Sequence, residues 1–198
     1  MATTISGTSG VTFPAGGVGN PAGAVVGTTD TQTLTNKTLG SGLVAGASYL
    51  TSGTAVASTS GTAIDFTGIP SWVKRVTVLF NGVSTSGTSN YLVQIGSGSV
   101  TVTGYASTSQ QGTTSATATT GFLASQNATA ARFVYGIMNI SALGSFTYIA
   151  SGTLADYTAA CAANGGGVTL SGALDRVRIT TVNGTDTFDA GSINILYE

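Results

Sequence analysis

Hydrophobic and polar residues alternate in short runs from about residue 54 to the end of the chain. In "WVKRVTVLFNG", Val76, Val78 and Phe80 fall on one side of an extended backbone, and Arg75 and Thr77 fall on the other. A period of two is typical of a strand with one buried face. The segment "NYLVQIG" repeats the pattern, and Asn81-Gly82 between the two is a favourable dipeptide for a turn. We therefore predict two strands with a turn at Asn81-Gly82 between them.

Further runs of the same kind predict an all-β domain. They are "SVTVTGYA", "ARFVYGIMNI", "GSFTYIASGTL", "DRVRITTVNG" and "GSINILYE", with the weaker "TAVAST" and "TAIDF" ahead of Pro70. About eight or nine short strands at this spacing favour an antiparallel β-sandwich, jelly-roll-like, over residues 54–198. The segment "LADYTAACAANGGG" is the best helix candidate, and a loop or a single turn remains open for it. The predicted core positions are Val76, Val78, Phe80, Tyr91, Val93, Ile95, Phe133, Tyr135, Ile137, Val177, Ile179, Ile193 and Ile195.

Residues 1–53 lack this alternation. Their hydrophobic residues are scattered, and Leu34 and Leu39 in "TDTQTLTNKTLGSG" match neither a strand period nor a helix stripe. Such a segment buries too little apolar surface to offset the entropy of ordering it alone. We predict an extended N-terminal anchor or stalk over residues 1–53 that is ordered by contact with other chains, followed by a distal β domain.

Composition removes several classes of partner. Only 7% of the residues are charged and the formal net charge is -1, so the chain has no clustered cations with which to bind nucleic acid or an anionic membrane. No apolar run approaches the ~18 residues of a membrane span, and the start "MATTISGTSG" is unlike a signal peptide. Near-zero charge favours association. We expect cytoplasmic synthesis and a place in a larger assembly.

Candidate chemistry is sparse. Without histidine the chain lacks the base of a serine triad and a main zinc ligand, and Cys161 has no second cysteine to pair with. The one close acidic pair, Asp186 and Asp189, favours turn formation with the carboxylates capping backbone amides; a cation or glycan contact is the alternative. "GVGNPA" imitates a dinucleotide fingerprint, but Pro21 excludes the helix that this motif needs. We therefore predict no catalytic residue, no metal, no cofactor and no enzyme activity.

Two aromatic residues are considered as surface contacts. Trp72 follows "GIPS" and precedes a strand, so it is expected to cover the edge of the core; a sugar-stacking role is the alternative. Tyr105 is followed by the polar stretch "STSQQGTTS". We predict Tyr105 as the exposed adhesive contact.

The phrase "TDTQTLTNKTL" resembles one that recurs in the N-terminal or shaft regions of tailed-bacteriophage fibre and appendage proteins. The block from "STSGTAIDF" to "SVTVTGY" and the ending "DTFDAGSINILYE" resemble the distal β-rich domain of the same group. The resemblance implies a homotrimeric virion appendage, with no active site common to all members, that binds a capsid, collar or tail protein. A host-surface glycan is a candidate ligand. The short chain fits a compact spike or head fibre better than a long tail fibre.

Three copies running side by side would bring Leu34 and Leu39 together near a common axis, with Asn36 hydrogen-bonding between chains. Upstream, Phe13 and Val25 are the candidate contacts with the capsid or tail protein. The predicted function is therefore a structural fibre or spike of the virion, for decoration or host attachment. The alternative is a free carbohydrate-binding module or a capsule-degrading depolymerase.

Overall fold

The computed structural model describes residues 4–6, 10–12, 50–126, 129–157 and 160–198. The chain divides into two units, Met1–Ala47 and Ser48–Glu198. In the first unit, strands β1 (Thr4–Ser6) and β2 (Gly10–Thr12) form an antiparallel pair. The stalk predicted for the rest of this unit lies outside the described residues.

The larger unit is built of strands joined by turns and loops, and its described residues contain no helix. All its strand pairs are antiparallel. The predicted all-β, antiparallel fold is therefore confirmed. Its strands are β3 (Thr51–Ser52), β4 (Val56–Ala57), β5 (Ile64–Thr67), β6 (Arg75–Thr85), β7 (Tyr91–Ser97), β8 (Ser99–Val100), β9 (Ala106–Gln111), β10 (Thr114–Ala118), β11 (Phe122–Ser125), β12 (Val134–Gly144), β13 (Thr147–Asp156), β14 (Cys161–Thr169), β15 (Arg176–Thr181) and β16 (Phe188–Tyr197).

The strands of this unit form two sheets that share one hydrophobic core. The nine-stranded sheet has the order β10-β9-β14-β13-β12-β6-β16-β3, with β4 also paired to β16. The five-stranded sheet has the order β11-β7-β15-β5, with β8 paired to β7. Val78 and Ile193 from the first sheet and Val93 and Ile179 from the second belong to the same buried cluster. Burying each such side chain contributes about 1.5–3 kcal/mol, so this cluster is the main source of stability.

The turn predicted at Asn81-Gly82 is wrong, because β6 continues through it to Thr85. The strand is bulged here: Val83 lies opposite Val134 and Phe80 lies opposite Gly136, so β6 has one residue more than β12 between the two pairs. Gly82 has a positive φ of 62°, the conformation that such a bulge requires of its glycine. Gly82 therefore has the positive φ expected of a turn glycine, but it lies inside a strand instead of at the end of one.

The core face predicted for β12 is also wrong. Val134, Met138 and Ile140 are buried, whereas Tyr135 and Ile137 are 43% and 45% exposed and Phe133 is half-buried. Both faces of "FVYGIMNI" carry hydrophobic residues, so the period of two fits either orientation. The other predicted core positions are buried.

The candidate helix "LADYTAACAANGGG" is largely strand. Its first residues complete β13, and β14 begins at Cys161 and continues through the glycine tract to Thr169. A Cβ atom added at Gly166 would lie 2.6 Å from the carbonyl oxygen of Ala106 on β9. Gly166 is therefore required by the close approach of β14 to β9, which outweighs the low strand propensity of glycine.

Candidate functional site

The predicted N-terminal contacts Phe13, Val25, Leu34, Asn36 and Leu39 lie outside the described residues. Their roles in anchoring and trimer formation stay predictions.

The predicted exposure of Tyr105 is wrong, since its side chain is 3% exposed. Its hydroxyl accepts a hydrogen bond from the Ile95 amide at 2.8 Å and donates one to the Ile95 carbonyl at 3.1 Å. Its ring packs edge-on against Phe122 with 4.9 Å between the centroids. Burial raises the pKa of Tyr105 to about 12. The phenol hydrogen-bonds both backbone groups of Ile95, which lies on β7 beyond the residues that pair with β11. Tyr105 is therefore a core residue.

The prediction that both acidic residues cap backbone amides in turns holds for Asp186 and is wrong for Asp189, which lies in β16 and bonds a side chain of β6. Asp186 accepts a hydrogen bond from the Ser89 amide at 2.9 Å and one from Asn183 Nδ2 at 2.7 Å. Asp189 accepts one from the hydroxyl of Ser84. Over the described ranges, no group of three or more His, Cys, Asp or Glu side chains is placed to hold a metal ion.

Three aromatic side chains lie near the end of the nine-stranded sheet at which β12 begins and β13 ends. The Phe133 and Tyr157 rings are 5.9 Å apart at an interplanar angle of 43°, and Tyr157 is 67% exposed. Tyr135 on β12 lies opposite Ala155 on β13 and is 43% exposed; Phe133 is two residues before Tyr135, and Tyr157 is two residues after Ala155. We call Phe133, Tyr135 and Tyr157 the aromatic platform.

The bulge in β6 positions Tyr135. A Cβ atom added at Gly82 would lie 3.3 Å from the Tyr135 hydroxyl oxygen, so the phenol lies over the glycine that the bulge requires. A side chain at position 82 would press on the phenol and would also strain the positive φ of this residue. Tyr135 is therefore held by a paired strand and the bulge beside it, while Phe133 and Tyr157 immediately flank β12 and β13.

An open cavity of about 440 Å³ lies on β12, β13 and β14, and Ile137 in its wall is two residues along β12 from Tyr135. Ile137, opposite Thr153, and Asn139, opposite Ser151, form two cross-strand pairs along its floor. Thr77 Oγ1 donates to Asn139 Oδ1 at 2.8 Å. Within the described part of the chain, Asn139 Nδ2 and the hydroxyls of Ser151 and Thr153 have no hydrogen-bond partner. We call these four residues of β12 and β13 the polar groove.

A polar cavity of about 270 Å³ lies at the five-stranded sheet. Gln94 in its wall donates to the Thr120 carbonyl at 2.8 Å, and Arg178 makes a two-point ion pair with Asp65 at 2.7 and 2.8 Å. That ion pair raises the pKa of Arg178. The polar groups are engaged with each other, and no aromatic residue lines the cavity. This cavity is less suited to a ligand than the platform and groove.

A smaller cavity of about 150 Å³ is lined by Lys74 and Phe146. Phe146 has a φ of 60°, which is unusual for a bulky residue, and is half exposed. Trp72, predicted as a core cover or a sugar contact, is 54% exposed with its ring 6.2 Å from that of Tyr197. These aromatic residues are separate from the platform.

The sequence did not identify the platform as a site. Tyr135 and Phe133 were assigned to the core, and Tyr157 fell in the candidate helix. The glycine at position 136 was the available signal, because a glycine within a strand often marks a bulge that changes which residues face the core.

The arrangement on this face can stack rings and exchange hydrogen bonds with a ligand. The chain matches no protein-family model, and comparison with the curated proteins and with the solved structures found no match. No helix in the described residues is long and apolar enough to cross a membrane.

Proposed function

We propose that the chain is a structural component of a bacteriophage particle. It acts as a trimeric fibre or spike, attached to the capsid, collar or tail through its N-terminal segment, and it displays the β domain for decoration of the particle or adhesion to the host surface. The resemblance of "TDTQTLTNKTL" and of the β-rich blocks to phage fibre and appendage proteins supports the proposal.

The observation that carries the proposal is the nested pairing of strands in the larger unit. Strand β4 pairs with β16, β5 with β15, β6 with β12, and β7 with β11. The pairs β6–β16 and β7–β15 join these into two groups of four. Eight strands nested in this way, first with last, are expected of a jelly-roll β-sandwich, a fold of viral capsid and lectin domains.

The remaining strands fit as additions to that arrangement. The hairpins β9–β10 and β13–β14 extend the nine-stranded sheet beyond β12, and β3 lies on β16 at the other edge. This extension provides the outer surface on which the platform and groove lie. A display domain enlarged on one side suits a decoration or adhesion role.

The trimer belongs to the proposal through the N-terminal segment. A chain with only 7% charged residues has little electrostatic repulsion between copies, which favours close association. Analytical ultracentrifugation of the intact chain tests this part directly. We expect a trimer at micromolar concentration, and a monodisperse monomer would contradict it.

Attachment is tested by deleting residues Met1–Thr28 in a phage that encodes the protein. The shortened chain is expected to fold and to trimerise but to be absent from purified particles, and electron microscopy should show which protrusion is lost. A matched variant with Leu34→Ser and Leu39→Ser is expected to weaken the trimer and leave the β domain folded. Normal incorporation of the deleted chain would overturn the anchoring role.

A free carbohydrate-binding module is the second candidate, and the aromatic platform is the observation that favours it. If the chain is such a module, a monomer should bind saccharide and should be absent from phage particles. A depolymerase would in addition release saccharide from host capsule, lipopolysaccharide or peptidoglycan. We expect no such release.

A further inference from the structure

We propose that the aromatic platform and the polar groove together form a binding site for a neutral pyranose saccharide. The site lies on the outer face of the nine-stranded sheet, where Ile137 joins the two parts. The inference rests on the adhesive role within the proposed function, and it names the ligand class and the residues that bind it.

The platform offers ring faces to the ligand. The apolar C–H face of a pyranose packs on an aromatic ring in the same way as other apolar groups do, with the ring supplying both contact area and a fixed orientation. Phe133 and Tyr157 pack against each other, and Tyr135 is held over Gly82. Three aromatic residues grouped on one exposed surface are a cost to solubility that a binding role explains.

The groove offers hydrogen bonds of the kind that sugar hydroxyls need. The Asn139 amide is oriented by Thr77, which bonds its oxygen and leaves Nδ2 as a donor. Ser151 and Thr153 each supply a hydroxyl that both donates and accepts. A vicinal diol presents the same mixture of donors and acceptors, so a pyranose can satisfy all three side chains.

Charge favours a neutral saccharide over an acidic one. No residue of the platform or the groove is charged. Arg132, which precedes Phe133, is paired with the buried carboxylate of Asp156 at 2.6 Å. A carboxylate or phosphate on the ligand would therefore lose its hydration without gaining a free cation.

A second copy of the chain is the competing occupant of this face. An apolar protein surface laid over the groove would leave Asn139 Nδ2 and two hydroxyls without partners, at a cost of about 1–3 kcal/mol each. A saccharide satisfies the same groups. The unpaired donors therefore favour the saccharide.

The test is saturation-transfer difference NMR on the intact chain. The probes are the methyl pyranosides of glucose, galactose, mannose, rhamnose and N-acetylglucosamine, with methyl glucuronide as the charged comparison. We expect transfer to the ring protons of at least one neutral pyranoside, and a weaker signal from the glucuronide. Absence of transfer from all five neutral probes would overturn the proposal, as would a preference for the glucuronide.

Variants assign the site. Tyr157→Ala is expected to weaken binding about tenfold or more, and Asn139→Ala about threefold to tenfold, which is the range of one net hydrogen bond. Trp72→Ala removes an exposed aromatic side chain away from the platform and is the matched control, with affinity unchanged. Equal losses in all three variants would contradict the assignment.

Two further measurements keep the inference separate from the proposed function. Ultracentrifugation of Tyr157→Ala should give the same oligomer as the wild type; dissociation would identify the platform as a subunit interface and overturn the saccharide site. Incorporation of Tyr157→Ala into particles should be normal. Failure of saccharide binding with normal incorporation would overturn the inference alone, whereas failure of incorporation by the wild type would overturn the proposed function.

Discussion

Replacing Tyr105 with phenylalanine removes one buried hydroxyl from the core and leaves the ring in place. The Ile95 amide loses its bond at 2.8 Å to that hydroxyl, while the Ile95 carbonyl keeps a bond from the Thr101 amide at 3.0 Å. A buried amide without a partner costs about 1–3 kcal/mol. We expect the free energy of unfolding at neutral pH to fall by that amount.

The same substitution changes the response to alkaline pH. Burial raises the pKa of Tyr105 from its ordinary 10.0 to about 12, and that of Tyr91 to about 12 as well. The folded state thus favours the neutral phenols, so their contribution is complete below pH 10 and is lost as the pH rises through 12. Each shift corresponds to ~2.7 kcal/mol, or ~1.4 kcal/mol per pH unit. With both tyrosines present, the wild type should lose ~4 kcal/mol between pH 10 and 12, and Tyr105→Phe about half of that.

Urea unfolding followed by far-ultraviolet circular dichroism measures both quantities, at one protein concentration and at several pH values from 7 to 12. Concentration must be fixed because an oligomer gains stability by mass action. A Tyr105→Phe variant with wild-type stability at pH 7 and an unchanged slope above pH 10 would refute the reasoning. It would mean that the hydroxyl is hydrated in solution instead of buried against β7.

Other substitutions test the core, the bulge and the surface ion pairs. Val78→Asp should unfold the β domain, because an unpaired buried charge costs several kcal/mol, while Val182→Asp at a half-exposed position should not; circular dichroism separates them. Gly191→Ala should lower stability by ~2 kcal/mol or more, because its φ is positive and its Cβ would overlap the backbone of β6, whereas Gly98→Ala, with a positive φ and open space, should cost only ~1 kcal/mol in thermal melts. Asp65→Asn breaks an exposed ion pair and should cost less than ~1 kcal/mol in urea titrations, a difference that should shrink as salt is added; a larger loss that salt does not reduce would mean that the pair is shielded from solvent.

Local alternation was sufficient to predict the fold class. Short runs with a period of two, such as those around Val76 and Val93, need only the steric geometry of an extended chain, and the structure has strands at both. The pairing of β4 with β16 joins residues far apart in the chain, and no local pattern specifies it. Strand order therefore had to come from the structure.

The errors at the candidate site have identifiable physical causes. Tyr105 precedes a polar stretch, which indicated exposure, but that stretch forms β9 and β10 at one edge of the larger sheet, and the tyrosine ring packs into the core. Tyr135 was assigned to the core because both faces of β12 are hydrophobic, and only the packed structure decides between them. Tyr157 lies in an alanine-rich segment whose composition favours a helix, so the sequence did not indicate a binding site there.

The position of β16 within the nine-stranded sheet has a consequence for biosynthesis. β16 lies between β6 on one side and β3 and β4 on the other, so β3 and β4 wait for residues 188–197 before they can pair. Nascent chains therefore expose the edge of β6 throughout most of translation, and closure of the sheet is a late, non-local and slow step. A chain cut short before Phe188 would lack the strand that joins β3 and β4 to β6. Such a fragment would leave the edge of β6 unpaired, which favours aggregation.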